Sequence, residues 1–126
     1  MNTHAINWFE IPVSDFDRAK KFYETIFDYQ MPENTMGPAR MGFLLYDFQN
    51  GGRGGAIVHH PNFYTPSANG TLVYLNCDPD LQPVLSRVTD AGGKILLEKT
   101  NIGSGLGYMA HILDSEGNRV ALHSMN

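Results

Sequence analysis

An alternation of polar and apolar residues covers positions 8–13 and then gives way to a helical period. The apolar residues that fall on one face of this stretch are Phe9, Ile11 and Val13. A period of two predicts a strand, whose other face carries Trp8 and Glu10. Ser14 and Asp17 then have the spacing of a helix capping box. The apolar residues that follow share one side of the predicted helix: Phe16, Ala19, Phe22, Tyr23, Ile26 and Phe27.

The same order of elements returns in the second half of the chain. Residues 71–77 predict a strand, residues 78–80 a helix start, and the pair Gly92-Gly93 a helix end. The apolar stripe of this second helix is Leu81, Val84, Leu85 and Val88. Three aligned pairs define the repeat: Trp8 with Leu72, Glu10 with Tyr74 and Val13 with Cys77.

Each copy continues into further strands. Residues 41–48 predict a strand, the glycine-rich residues 50–55 a turn, and residues 56–60 a strand. The turn lacks the Lys-Ser/Thr pair and the helix of a phosphate-binding loop, so a hairpin turn is the better interpretation. Strand, helix and further strands, twice over, predict an α+β fold with mixed sheets. We expect one domain, residues 1–126, made of modules at approximately 1–62 and 70–126.

Composition excludes several classes of protein. The net charge of -4, with scattered Lys and Arg, gives no basic patch for nucleic acid. No apolar run reaches transmembrane length, so we expect no membrane partner. Cys77 is the single cysteine, which excludes an intramolecular disulfide, and the first residues lack the pattern of a signal peptide. These features predict a cytoplasmic protein.

Five segments together resemble the vicinal oxygen chelate superfamily, which includes glyoxalase I, bleomycin-resistance proteins and extradiol dioxygenases. They are FEIPVSDFDRAKKFYETIF, GGAIV, NGTLVYLNCDPDL, DAGGKIL and DSEGNRVAL. The resemblance implies two βαβββ modules that curl into a half-open, barrel-like sheet around a cavity. It also implies a homodimer, and we expect Phe63 and Tyr64 of the connector 61–70 to be buried at its contact.

Metal-dependent members of that superfamily carry one ligand on the first and on the last strand of each module. The corresponding positions here are Trp8, Val58, Leu72 and Ala121. None of these side chains offers an imidazole nitrogen or a carboxylate oxygen, which such a site requires. The resemblance therefore implies no metal at the usual position, and we expect no other cofactor.

The residues one cavity-facing step further along the same strands are Glu10, His60, Tyr74 and His123. In one interpretation Glu10, His60 and His123 hold a divalent metal displaced by two residues. In the other, these side chains are polar walls of the cavity. Arg119 shares this face and either binds an anionic ligand or pairs with Glu10. Alternation predicts that His59 and His111 point outward or are partly packed.

Three functions follow from these alternatives. The first is a binding module that takes a small organic molecule, without metal, in a cavity lined by Trp8, Glu10, His60, Tyr74, Arg119 and His123. The second is a lyase or dioxygenase that uses the displaced metal site or metal-free acid/base chemistry. The third is an accessory interaction domain whose cavity is filled by its own side chains. Whether the protein is an enzyme stays open at this stage.

Overall fold

The computed structural model describes residues 4–126, which form two similar halves. The first half contains β1 (Trp8–Pro12), α1 (Phe16–Phe27), β2 (Glu33–Met36), β3 (Ala39–Phe43), a short 3-10 helix (Phe48–Asn50) and β4 (Gly54–His59). The second contains β5 (Tyr74–Asn76), α2 (Gln82–Arg87), β6 (Lys94–Asn101), β7 (Tyr108–Leu113) and β8 (Arg119–Ser124). Each half is therefore a βαβββ module, and the predicted α+β class is confirmed.

Each module forms its own mixed four-stranded sheet. The strand orders are β1-β4-β3-β2 and β5-β8-β7-β6. The long crossover through a helix makes β1 parallel to β4 and β5 parallel to β8, while the short turns make the other neighbours antiparallel. The two sheets are not closed into a barrel, so β1 and β5 remain edge strands.

Equivalent hydrogen bonds end the first strand of each module. The backbone N–H of Val13 donates to the carbonyl of Val58 (2.9 Å), and that of Cys77 donates to the carbonyl of His123 (2.7 Å). Val13 and Cys77 are therefore equivalent, as the aligned repeat predicts. The same bonds make Val58 the equivalent of His123 in the last strand of each module.

One apolar core joins the two modules. The predicted helical stripes are buried in it: Phe16, Ala19, Phe22, Tyr23 and Ile26 from α1, with Leu81, Val84, Leu85 and Val88 from the α2 region. Strand residues of both sheets complete the core, among them Ile11, Ile57, Ile112 and Leu122. No helix within residues 4–126 is long and apolar enough to cross a membrane.

The N-terminus of α1 differs from the predicted capping box. Asp15 is the N-cap, and its carboxylate accepts a hydrogen bond from the backbone N–H of Arg18 (3.1 Å). Ser14 instead donates its backbone N–H and its hydroxyl to Glu116 of the second module, each at 3.1 Å. The local capping pattern is thus displaced by one residue because a carboxylate distant in sequence binds Ser14.

Three strand boundaries also differ from the prediction. β3 ends at Phe43 instead of 48, and the chain then leaves the sheet, so that Leu45 and Phe48 are each 70% exposed. β5 covers Tyr74–Asn76 instead of 71–77. β4 begins at Gly54, inside the predicted turn. A Cβ atom at this position would lie 2.0 Å from a ring carbon of Tyr46. Close packing of an aromatic ring thus explains this glycine within a strand.

Candidate functional site

A cavity of about 650 Å³ lies between the edge strand β1 and the residues that lead into and form β5. Of the candidates named from the sequence, it brings together Trp8, Glu10, Leu72 and Tyr74. The apolar part of its wall includes Ile6, Phe9, Phe27, Leu44, Leu45 and Leu75. The space is not filled by the protein's own side chains, which removes the support for a closed accessory domain.

Trp8 forms part of the cavity wall and is 37% exposed. Its ring lies edge-to-face against Phe43, with centroids 6.0 Å apart, and against Tyr46 at 5.8 Å. The indole Nε1–H donates to Oε2 of Glu10 (3.2 Å). The aromatic neighbours and this hydrogen bond hold the indole at the edge of the cavity.

Glu10 is half-buried and is held from a second side by Tyr64. The Tyr64 hydroxyl donates to Oε1 of Glu10 at 2.5 Å, and this hydrogen bond, with a contribution from burial, raises the pKa of Tyr64. Tyr64 has a backbone φ of 51°, an uncommon conformation for a residue with a large side chain. The sequence carries no local signal for this contact, because 54 positions separate the two residues.

A second cluster occupies the face of the second sheet that points away from the core. Arg119 donates to Nδ1 of His111 from Nε (3.2 Å) and from Nη2 (3.1 Å). Since a guanidinium only donates, Nδ1 accepts, and in the neutral imidazole Nε2 then carries the ring hydrogen. Nε2 lies 3.4 Å from the hydroxyl of Tyr74. Burial and the charge of Arg119 lower the pKa of His111, which favours this neutral form.

This cluster bears on two expectations from the sequence. His111 is partly packed: its strand neighbours Ala110 and Ile112 are in the core, and its own side chain lies on the opposite face, beside Tyr74. Arg119 binds His111, and no ion pair within residues 4–126 joins it to Glu10.

The two remaining candidates lie apart from the large cavity. His60 follows the end of β4, accepts a hydrogen bond at Nδ1 from the backbone of Asn62 (3.1 Å), and packs against Phe63 with ring centroids 4.6 Å apart. His123 donates from Nε2 to the carbonyl of Leu106 (2.7 Å). The structure therefore does not gather Glu10, His60 and His123. Across residues 4–126, no three His, Cys, Asp or Glu side chains cluster so that they could hold a metal ion.

The residues at the superfamily's usual metal positions do not fit a metal either. One of these positions, assigned to Val58 from the sequence, has to be reassigned. Glu10 pairs with Ala56 and its equivalent Tyr74 pairs with Ala121, so the counterpart of Ala121 is Ala56 and not Val58. The corrected set is Trp8, Ala56, Leu72 and Ala121. Its side chains are an indole, a methyl, an isobutyl and a methyl group, and none is a ligand for a divalent cation.

A smaller cavity of about 230 Å³ adjoins the large one. Glu10, Thr71 and Val73 line both cavities. The polar side chains that line the smaller one are Glu10, Thr65, Ser67, Asn69, Thr71, Asn118 and Arg119. Arg53, which sequence reasoning treated only as part of a turn, lines the large cavity and is exposed.

Comparison with known proteins gives a consistent result. The model of the Glyoxalase/Bleomycin resistance protein/Dioxygenase superfamily matches residues 5–122. A "Glyoxylase-like domain-containing protein" of Didymella fabae is 31% identical over 123 residues, which cover 93% of this chain and 91% of that protein. The "Putative glyoxylase CFP32" of Mycobacterium tuberculosis (strain CDC 1551 / Oshkosh) is 29% identical over 125 residues, or 95% of this chain. The chain spans about half of that relative, 45% of its length.

Solved structures show the same fold. A crystal structure of a glyoxalase/bleomycin resistance protein/dioxygenase family enzyme from Burkholderia phytofirmans PsJN aligns with a TM-score of 0.67. The alignment covers 95% of this chain and 98% of that chain at 15% sequence identity. At this identity the likeness concerns the arrangement of the two modules, and the chemistry has to be argued from the site.

Proposed function

The chain belongs to the Glyoxalase/Bleomycin resistance protein/Dioxygenase superfamily, and from this premise we propose that it binds a small organic molecule in the cavity between β1 and β5. The observation that carries the proposal is the cavity itself. Its volume of about 650 Å³ is ordinary for a small-molecule site, and apolar and aromatic walls with a few polar groups suit an organic ligand. Binding without a metal at the usual positions is part of the proposal, since those side chains offer no donors.

The proposal is tested with ligand-observed NMR, in which neutral, acidic and basic aromatic compounds are screened against the protein. Trp8 is the single tryptophan of the chain and lines the cavity, so its fluorescence reports titration of each hit. Leu72→Phe narrows the cavity and is expected to weaken binding. Leu106→Phe is the matched control, because Leu106 is 57% exposed and does not line the cavity. Hits that bind both variants equally well would contradict this site.

A second candidate function is metal-free acid/base catalysis by Glu10. Its carboxylate lines the cavity and is oriented by two donors, Trp8 and Tyr64. We expect protein purified without a histidine tag to contain no stoichiometric divalent metal. A glyoxalase-type assay, with and without added divalent ions, then separates the candidates. Turnover without added metal that is lost in Glu10→Gln would favour acid/base catalysis by Glu10. Turnover that requires added metal would contradict both metal-free proposals.

A further inference from the structure

We propose that the two adjoining cavities form one site for an amphipathic α-amino acid, whose ammonium group meets Glu10, whose carboxylate meets Arg119, and whose apolar side chain occupies the large cavity. This inference rests on the proposed function and adds the chemical class of the ligand. Its starting point is continuity: Glu10, Thr71 and Val73 line both cavities, so a ligand can extend from one into the other.

The charges of the smaller cavity point to a zwitterion. Glu10 and Arg119 are the two charged residues that line it, and they do not pair with each other. A carboxylate and a guanidinium that face the same small space, each without the other as partner, are complementary to a group that carries both charges. Side chains of Thr65, Ser67 and Asn69 on the same wall offer further hydrogen-bonding groups.

Both charged groups keep capacity for a ligand. Each carboxylate oxygen of Glu10 receives one hydrogen bond, from Trp8 or from Tyr64, and an oxygen of this kind accepts more than one. The guanidinium of Arg119 uses two of its nitrogen atoms on His111, and it has five N–H donors in total. These existing bonds orient the two groups and lower the entropic cost of binding.

The large cavity is the reason for expecting an apolar side chain on the ligand. Beyond the shared residues its wall is mainly apolar, with Phe27, Leu44 and Leu75 among its members. Arg53 is the other charged residue at this wall, where it lies exposed. It is the alternative anchor for a carboxylate, and the experiment has to distinguish it from Arg119.

The test compares four probes by fluorescence of Trp8 and by calorimetry: L-phenylalanine, its amide, N-acetyl-L-phenylalanine and phenylpropanol. The amide lacks the carboxylate, the N-acetyl compound lacks the ammonium group, and the alcohol lacks both charges. We expect L-phenylalanine to bind more tightly than each singly altered probe by about tenfold, the usual scale for one charge-assisted contact. Arg119→Gln should remove the advantage over the amide, and Glu10→Gln the advantage over the N-acetyl compound.

Two control variants keep the result specific. Lys94→Gln removes one positive charge at an exposed position outside both cavities, and Arg53→Gln removes the alternative anchor. Neither is expected to change the order of the probes. The inference would be overturned if Arg53→Gln removed the tighter binding of L-phenylalanine relative to its amide. It would also be overturned if the tighter binding of L-phenylalanine relative to the altered probes persisted in both Arg119→Gln and Glu10→Gln. Binding of phenylpropanol as tight as that of L-phenylalanine would overturn it too and leave the proposed function intact. Absence of binding by all four probes would also overturn the inference, whereas the proposed function fails only if the broader NMR screen finds no ligand for this cavity.

Discussion

Arg18 and Glu116 lie 98 residues apart in sequence and form a bidentate ion pair, with Nε–Oε2 at 2.7 Å and Nη2–Oε1 at 3.0 Å. Glu116 also accepts hydrogen bonds from Ser14, from the backbone N–H of Asp15 (2.8 Å) and from Ser115. The Glu116 side chain is fully buried although Arg18 is half exposed. One carboxylate of the second module thus holds the N-terminus of α1, where a negative charge is also favoured by the helix dipole.

Replacing Glu116 with Gln should lower the free energy of unfolding by about 2 kcal/mol, because the amide cannot accept all of these hydrogen bonds and leaves donors unpaired. Glu33→Gln is the matched control. Glu33 pairs with Lys20 and Arg40, but its side chain is 41% exposed, so we expect a loss of less than about 1 kcal/mol. Chemical denaturation of both variants measures the difference. Equal losses would show that Glu116 contributes no more than a surface pair.

The same carboxylate predicts how stability depends on pH. Burial would raise the pKa of Glu116, but hydrogen bonds from Arg18, Asp15, Ser115 and Ser14 outweigh it and lower the pKa from its ordinary 4.5 to about 2. A group with a lowered folded-state pKa stabilises the protein above its unfolded pKa, and the contribution is lost as pH falls. The denaturant concentration at the midpoint of unfolding should therefore decrease as the pH is lowered from about 4.5 to about 2. Glu116→Gln should flatten that decline, and an unchanged slope would contradict the assignment.

Long, strongly periodic segments were predictable. The stripe of α1 from Phe16 to Ile26 is buried as its period requires. In such segments the apolar pattern and the tertiary burial agree. The residues that do not follow local rules have partners distant in sequence: Asp15 caps α1 while Ser14 binds Glu116, and Gly54 continues a strand beneath a tyrosine ring.

The candidate site was predictable only in part, for a related reason. The repeat alignment pairs Trp8 with Leu72 and Glu10 with Tyr74, and these four residues line one cavity because the two edge strands face it. Tyr64 reaches Glu10 from a connector, and no periodicity encodes that contact. Residues 108–113 are apolar on both faces, so alternation could not show that His111 lies beside Tyr74.

Cys77 should be unreactive in the folded protein. Its side chain is buried at 5% exposure, and burial raises the pKa of the thiol to about 12, so almost no thiolate forms at neutral pH. We expect negligible labelling by Ellman's reagent at mildly alkaline pH and full labelling after unfolding in guanidinium chloride. Because Cys77 is the single cysteine, the readout has one source. Rapid labelling of one thiol in the native protein would contradict this burial.

Assembly is the last prediction, and it concerns the apolar side chains that the single chain leaves exposed. Leu45 and Phe48 are each 70% exposed, Phe63 is 68% exposed and Tyr64 is 37% exposed. The chain itself therefore does not supply the burial expected for Phe63, and a second copy would have to supply it. Exposed apolar groups of this size favour association, so we expect a homodimer with twice the 14.0 kDa mass in light scattering.

A pair of variants tests whether Phe63 belongs to that contact. Phe63→Ser should weaken the dimer by about tenfold or more, since removal of a buried aromatic anchor commonly costs at least that much. Met36→Ser is the control, because Met36 is 63% exposed on the edge strand β2 and the prediction gives it no role in the contact. The mass of one chain at micromolar concentration would contradict the dimer. If both variants leave the dimer equally stable, Phe63 is not part of the contact. Removing a ring that a partner covers would lose buried apolar area and weaken the dimer.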